Sequence, residues 1–387
     1  MLRRILHISR REVGLLIGNP IYMFCMVLLP GFVVVFFTTM MGAGQPKSMP
    51  VGVVDADNTS TTRTLTRKLD SFQSTAVTAH YNSVTEARKA MQRNEIYAFI
   101  YFPAHTTDEL LSSRQPKISF YYSNACITSG SLLFKDLKTI ATLGSAAVGS
   151  ATLSAMGKTD SEIATFLQPI IIDLHPIGNP TTDYNVYLST SLIPACLMLF
   201  IFLITAYSIG TEQKFGRSRE WLAMAGDNIG IALAGKLLPQ FAVFATVMCS
   251  YLIYIYGSLG FPNAGGPVVT LILGILAVLA AQGFGTFAFG VAPSLRMSMS
   301  ICSLWAALSF SVMGATFPIS AMPPAVEALT YLFPMRHYFA IYQSCVFGGS
   351  NPADVWPDFM FLLLFAISPI VMLHRIGKAT REWVYMP

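Results

Sequence analysis

The sequence predicts a polytopic α-helical membrane protein: six transmembrane helices, with an α/β domain inserted between the first and the second. Three observations carry that expectation. Charged residues make up only 12% of the 387 positions, about half the ~25% usual in soluble domains. Mean hydropathy is +0.54. The apolar residues also gather into runs near 21–41, 187–209, 229–256, 268–291, 297–317 and 355–373, each long enough to cross a hydrocarbon core at 1.5 Å rise per residue.

Residues 1–20 read as a basic amphipathic helix. Leu2, Ile5, Leu6, Val13 and Leu16 share one face, and Arg3, Arg4, Arg10 and Arg11 crowd the other. Such a helix lies in the headgroup region with its arginines on anionic lipid; a plain positive flank that fixes orientation is the simpler alternative. No small-residue cleavage site closes the run 21–41, so a removable leader is not expected there. Pro30 should kink that first span.

The polar stretch 42–185 alternates strand-like and helix-like segments. MPVGVVDAD, AVTAHY, YAFIYFP and KISFYYSN read as strands, with helices at 61–72 and in VTEARKAMQRN. That order indicates a parallel or mixed sheet. From 129 to about 172 the chain reads as a weakly amphipathic helical stalk and a candidate partner surface, with Leu133, Leu137, Ile140 and Leu143 at helical spacing.

Residues 186–374 form a five-span bundle. Within it, 318–347 is too broken by Pro318, Pro323, Pro324 and Pro334 for one span and too apolar for a free loop. It reads as a re-entrant hairpin of two short helices, with Arg336 and His337 snorkelling to the outer surface. Residues 375–387 form a tail. Segments assigned to the cytoplasm hold twelve Lys or Arg against five Asp or Glu, whereas 42–185 balances twelve against twelve. The positive-inside rule therefore puts both termini in the cytoplasm and the inserted domain outside.

Enzymatic readings find little support. The six histidines are scattered, and no HExxH, GxSxG or CxxC occurs. Cys126 and Cys345 alone fall in outer segments, and nothing in their spacing argues for a disulfide. Gly230 to Lys236 fits GxxxxGK, but Leu237 stands where a Mg²⁺-binding Ser or Thr is needed, and the segment opens an apolar helix. No metal, cofactor or nucleic acid is expected. The spans lack the acidic relays of proton-driven carriers, with Lys236 and Gln282 the main polar residues inside them.

Attention then falls on the charged island 210–236, and in it the loop 210–229. Glu212, Lys214, Phe215, Glu220, Trp221 and Leu222 are expected on a short amphipathic helix at the cytoplasmic face. Two readings fit: docking into a groove of a soluble partner, or an interfacial helix with Trp221 among the headgroups.

The arrangement resembles the type-2 ABC exporter permeases over the whole chain. The resemblance rests on the basic helix ending in GNPIYMF, the large outer domain, the loop GTEQKFGRSREWLA, LAGKLLPQ opening the third span, and LTYLFPMRHYF before the last. Gly216-Arg217 replaces the family's Gly-Thr pair, while Glu220-Trp221-Leu222 fits its Glu-x-Leu. The resemblance implies an inner-membrane exporter subunit without an ATPase site of its own. It implies a separate ABC ATPase on that loop, a second permease copy or close paralogue, and an outer adaptor protein in the drug- and envelope-export subgroup. Two other classes stand beside it: a membrane scaffold that binds envelope components, and an ion-coupled carrier.

Overall fold

The computed structural model describes residues 1–112, 114–170, 173, 175 and 178–382. It separates into two compact units, Met1–Gly42 with Pro176–Pro387, and Ala43–His175. The end of the expected stalk at 172 and the last five residues of the expected tail lie outside the described residues.

Among the described residues, the first unit contains α1 (Leu2–Gly18) and six helices long and apolar enough to cross a membrane. These are α2 (Pro20–Met40), α8 (Tyr184–Lys214), α10 (Ile229–Ser258), α11 (Gly266–Val291), α12 (Leu295–Val312) and α15 (Pro352–Glu382). Asn19 separates α1 from α2 by accepting a hydrogen bond from Ile21 N at 3.0 Å, and Pro20 follows at the first helical position, where its missing N–H costs nothing. The break expected at Pro30 takes the form of a π-helical turn over Phe24–Leu28, just ahead of it. A second proline, Pro369, restarts the helix after a turn at Ser368 inside α15.

α8 and α11 form the centre of this unit, packed on each other and flanked by α2, α12 and α15. Their approach depends on small residues. A Cβ on Gly285 would come within 2.8 Å of Phe202 O of α8, and where α11 meets α10 one on Gly274 would lie 2.7 Å from Leu252 Cδ1. Without a hydrophobic driving force between helices in lipid, such close backbone contact supplies the packing energy. Phe32, Val35, Phe36, Leu304 and Leu363 remain outside, on faces suited to acyl chains. The proline-rich stretch after α12 holds α13 (Pro324–Thr330) and α14 (Pro334–Ile341), the latter running into a π-helical turn over Tyr342–Phe347. The six cysteines are all free.

The second unit is a four-stranded sheet in the order β2-β1-β3-β4. β1 (Met49–Asp55) pairs in parallel with β2 (Thr75–His80) and β3 (Ala98–Phe102), and β4 (Ser119–Tyr122) runs antiparallel on β3. The central strand reads as a nearly continuous apolar run because helices cover both of its faces. α3 (Ser60–Asp70) and α6 (Ile127–Ala155) bury Leu65, Leu69, Leu133, Leu137 and Ile140 on one side. α4 (Val84–Gln92) buries Ala87 and Ala90 against Val54 and Phe99 on the other. Gly52 has no substitute here, since a Cβ would lie 2.7 Å from the Tyr81 ring. The short α5 (Thr106–Leu111) and α7 (Asp160–Leu167) complete the unit. A Thr59–Thr62 capping box opens α3.

One half-buried acid of this unit is poorly served. Asp136 Oδ2 has no hydrogen-bond partner among the described residues, and burial raises its carboxyl despite Ser74 and Lys135 nearby. A carboxyl raised in the folded state binds protons that the unfolded chain has released, so folding loses stability as pH rises through that window. Asp136→Asn should therefore slow amide exchange of β1 and β3 a few-fold at pH 7. The advantage should vanish below the ordinary carboxylate range, which hydrogen-exchange mass spectrometry of the full chain at both pH values checks.

Candidate functional site

The charged island folds around a buried ionic junction that joins three helices. α8 continues five residues past its expected end, so Glu212 sits in its last turn and is 1% exposed. A carboxylate at a helix C-terminus is disfavoured by the helix dipole and in this setting needs cations. Arg11 of α1 grips it with two hydrogen bonds of 2.8 and 3.0 Å. Lys236 of α10 donates to the same carboxylate at 2.8 Å and to Glu12 of α1 at 2.7 Å. Gln240, one turn further along α10, donates to the second oxygen of Glu12 at 3.1 Å. Two carboxylates thus face one ammonium and one guanidinium, with Arg217 3.9 Å away as a weaker third cation.

Local packing explains how α1 comes close enough. Gly235 lies under Ile8, where a Cβ would sit 2.7 Å from Ile8 Cβ. Ser9 donates to the Gly235 carbonyl at 2.9 Å. The buried stripe of α1 is Ile8, Ser9, Glu12 and Leu16, and this corrects the expected apolar face: Leu2, Leu6 and Val13 point outward. The arginines divide likewise. Arg3, Arg4 and Arg10 are exposed, whereas Arg11 is half-buried and belongs to Glu212 rather than to lipid headgroups.

The loop residues do not share one amphipathic helix as expected. Glu212 and Lys214 end α8, Phe215 follows, and the separate helix α9 spans Ser218–Met224. Trp221 and Leu222 are buried with Ile8, Ile209, Phe289 and Ile376, and the Lys236 ammonium lies 5.4 Å from the Trp221 ring centroid. They are therefore the seat of α9 and not a face it offers to a partner; an isolated window of sequence cannot show which side three neighbouring helices will cover. The buried Trp221 Nε1 has no acceptor among the described residues, so apolar contact holds the ring. What α9 and its flank present to solvent are Lys214, Phe215, Arg219 and Glu220. Phe215 is 57% exposed with the Arg217 guanidinium 5.1 Å from its ring.

Lys236 of the GxxxxGK segment is thus committed to carboxylates. Asn228 caps α10 there by accepting from Ile231 N at 3.2 Å. Glu12 was the residue that sequence reasoning passed over. The available signal was an acid on the stripe Ile8–Glu12–Leu16, read together with a lone lysine in an apolar span.

A second polar cluster corrects the expectation for Arg336 and His337. Both are buried, not snorkelling. Asp358 of α15 accepts from Arg336 at 2.5 Å and lies 2.6 Å from His337 Nδ1, while His337 Nε2 faces the Tyr331 carbonyl at 3.0 Å. Phe361 stacks on the imidazole at 4.5 Å and Tyr331 lies 4.0 Å from the Arg336 guanidinium. This cluster clamps α14 to α15. No group of metal-binding residues occurs among the described residues.

With this geometry in place, comparison with known proteins identifies the chain's kin. The model of the ABC-2 family transporter proteins matches residues 20–373. The chain belongs to the ABC-2 transporter family. This ABC-2 chain is 21% identical over 214 residues to the probable multidrug ABC transporter permease YbhS of Escherichia coli K12, a match that covers 55% of the chain and only 56% of that relative. It is 20% identical over 365 residues to the inner membrane transport permease YhhJ of the same strain, covering 94% of the chain and 93% of YhhJ. A third relative, the probable multidrug ABC transporter permease YbhR of that strain, is 22% identical over 189 residues, 48% of the chain and 50% of YbhR. The chain thus spans about half the length of YbhS and YbhR and nearly all of YhhJ.

Lys236→Met should leave Glu12 and Glu212 buried without their shared cation, at a cost of about 3–5 kcal/mol. A large drop in the detergent melting temperature is expected, with partial recovery when Glu212→Gln is added. Asp358→Asn should likewise cut the monodisperse fraction on size exclusion, while His337→Phe, which keeps the ring stack, should cost less.

Proposed function

We propose that this chain is the membrane subunit of an ATP-driven exporter, powered by a separate ABC ATPase that docks on α9 and its flank. It works as a pair, with a second copy or a close paralogue, in a bacterial inner membrane with both termini in the cytoplasm. The twelve-to-five excess of Lys and Arg on α1, the α8 end, α9 and its flanks, the α10 start, the α12 start and the α15 end supports that orientation. The cargo is a hydrophobic or amphipathic molecule (a drug, a lipid or an envelope component) moved out of the cytoplasm or the inner leaflet, and an outer adaptor fits the large inserted unit.

The observation that carries this reading is the Glu12–Lys236–Glu212 junction beneath α9. Trp221 rests over its lysine, so a force on the exposed side of α9 reaches α1, α8 and α10 together. The chain's own chemistry supports a passive role in ATP use, because its single GxxxxGK lysine is bound to two carboxylates. In this scheme Phe215, Lys214 and Glu220 make contact with the ATPase, and Glu212, Trp221 and Leu222 transmit the motion inward. Arg3, Arg4 and Arg10 remain for lipid phosphates.

Phe215→Ala with Glu220→Arg alters exposed positions only, so insertion and melting temperature should stay at wild-type values. Co-purification of a nucleotide-hydrolysing subunit and ATP-dependent cargo uptake into inverted vesicles should both fall by at least about tenfold, roughly 1.4 kcal/mol of docking energy. Undiminished co-purification would remove α9 from the docking surface. Export that continues without ATP would favour an ion-coupled carrier, and a folded chain with no ATPase partner would favour a scaffold.

A further inference from the structure

A cleft of about 1180 Å³ opens in the Ala43–His175 unit between α3, α6 and α7. Its origin lies in the two unlike halves of α6. Leu133, Leu137 and Ile140 are at most 1% exposed and lie on the sheet. Beyond Ile140 no described residue of α6 is fully buried, and the cleft-facing positions include Gly144, Ala147 and Gly149. These small side chains leave a trough between α6 and Leu65 of α3. Gly149 also lets α7 close in, since a Cβ there would lie 2.7 Å from Leu167 Cδ2. Apolar side chains stand in the trough uncovered, Phe166 at 73% and Leu143 at 46% exposure.

The ionisable residues of the lining have one sign. The segment 42–185 balances its charges, yet the titratable groups among the described lining residues are Lys68 and Arg114. Both are exposed, and neither pairs with a carboxylate among the described residues. The volume slightly exceeds the range of about 300–1,000 Å³ for drug-sized ligand pockets. An apolar trough with two exposed cations matches a long apolar body that ends in an anion. Hydroxyl and amide groups of Ser60, Thr61, Thr64, Gln115, Ser145 and Thr152 also line the cleft.

We propose that this cleft binds an amphipathic anion: an alkyl chain along Leu65, Ile140, Val148 and Phe166, with its carboxylate or phosphate on Lys68 and Arg114. The site stands apart from the transport reading, since binding here requires neither an ATPase nor movement of cargo.

The test uses the full chain in nanodiscs of zwitterionic lipid with three photoreactive sixteen-carbon probes, an acid, an alcohol and an amine, and labelled peptides mapped by mass spectrometry. The acid should label residues 60–68 and 140–167 saturably. Lys68→Glu with Arg114→Glu should reduce that labelling about tenfold, as expected for lost charge-assisted hydrogen bonds, and leave alcohol labelling unchanged. Val148→Trp, which fills the trough, should reduce labelling by every probe. Competition by unlabelled hexadecanoic acid against dioleoyl phosphatidic acid tells a free acid from a phospholipid. Equal labelling by acid, alcohol and amine would overturn the proposal. So would acid labelling that survives the double reversal in a protein whose β1 and β3 keep normal amide-exchange protection. Labelling confined to the membrane-spanning helices, or a protein fragment cross-linked in the cleft instead of the probe, would overturn it equally.

Discussion

Two carboxylates and a lysine in an apolar setting are unstable one at a time and stable only together. Burying an isolated charge costs several kcal/mol even after relaxation, so Glu12, Glu212 and Lys236 each force the others into position. The consequences spread outward from that requirement. α1 must lie against α10, close enough that position 235 can hold only glycine; α8 must run on to residue 214; and α9 must close over the lysine with an aromatic ring. The junction defines a register among three helices that apolar packing alone would leave free to slide, because in lipid one leucine face resembles another.

The same logic recurs at Arg336, His337 and Asp358. There a carboxylate near the start of the last span draws an arginine and a histidine inward and fixes the proline-broken stretch against α15. The two polar clusters involve different helices and share no residue. Between them lies a core held by glycine contacts and aromatic packing, with π-helical turns in α2, in α10 and after α14.

Much of this architecture was legible in the residues. Apolar runs of about twenty residues announce spans because lipid offers backbone groups no alternative partner. The four strands were readable because β-branched and aromatic residues alternate with helical segments in 42–124. What stayed hidden was the side each helix buries. Leu2, Leu6 and Val13 satisfy an amphipathic pattern and yet face outward, since the partner of α1 is another helix with its own charge to match. Trp221 resembled an interfacial anchor for the same reason. Asp358 and Arg336 are twenty-two positions apart, and no local periodicity reports a pair at that distance. A lone acid or lysine on an apolar stripe is informative only once its counterpart is sought across the whole chain.

The close approach of Ile8 to Gly235 carries a consequence for how the protein is made. Its two sides are separated by more than two hundred residues of synthesis, during which the inserted unit and two spans must emerge. Through that interval Glu12 has no Lys236 ammonium to meet. α1 is therefore translated long before the helix that locks it. A chain that stalls before its third span carries in α1 an acid without its ammonium partner, a chemical mark by which an unfinished molecule differs from a completed one.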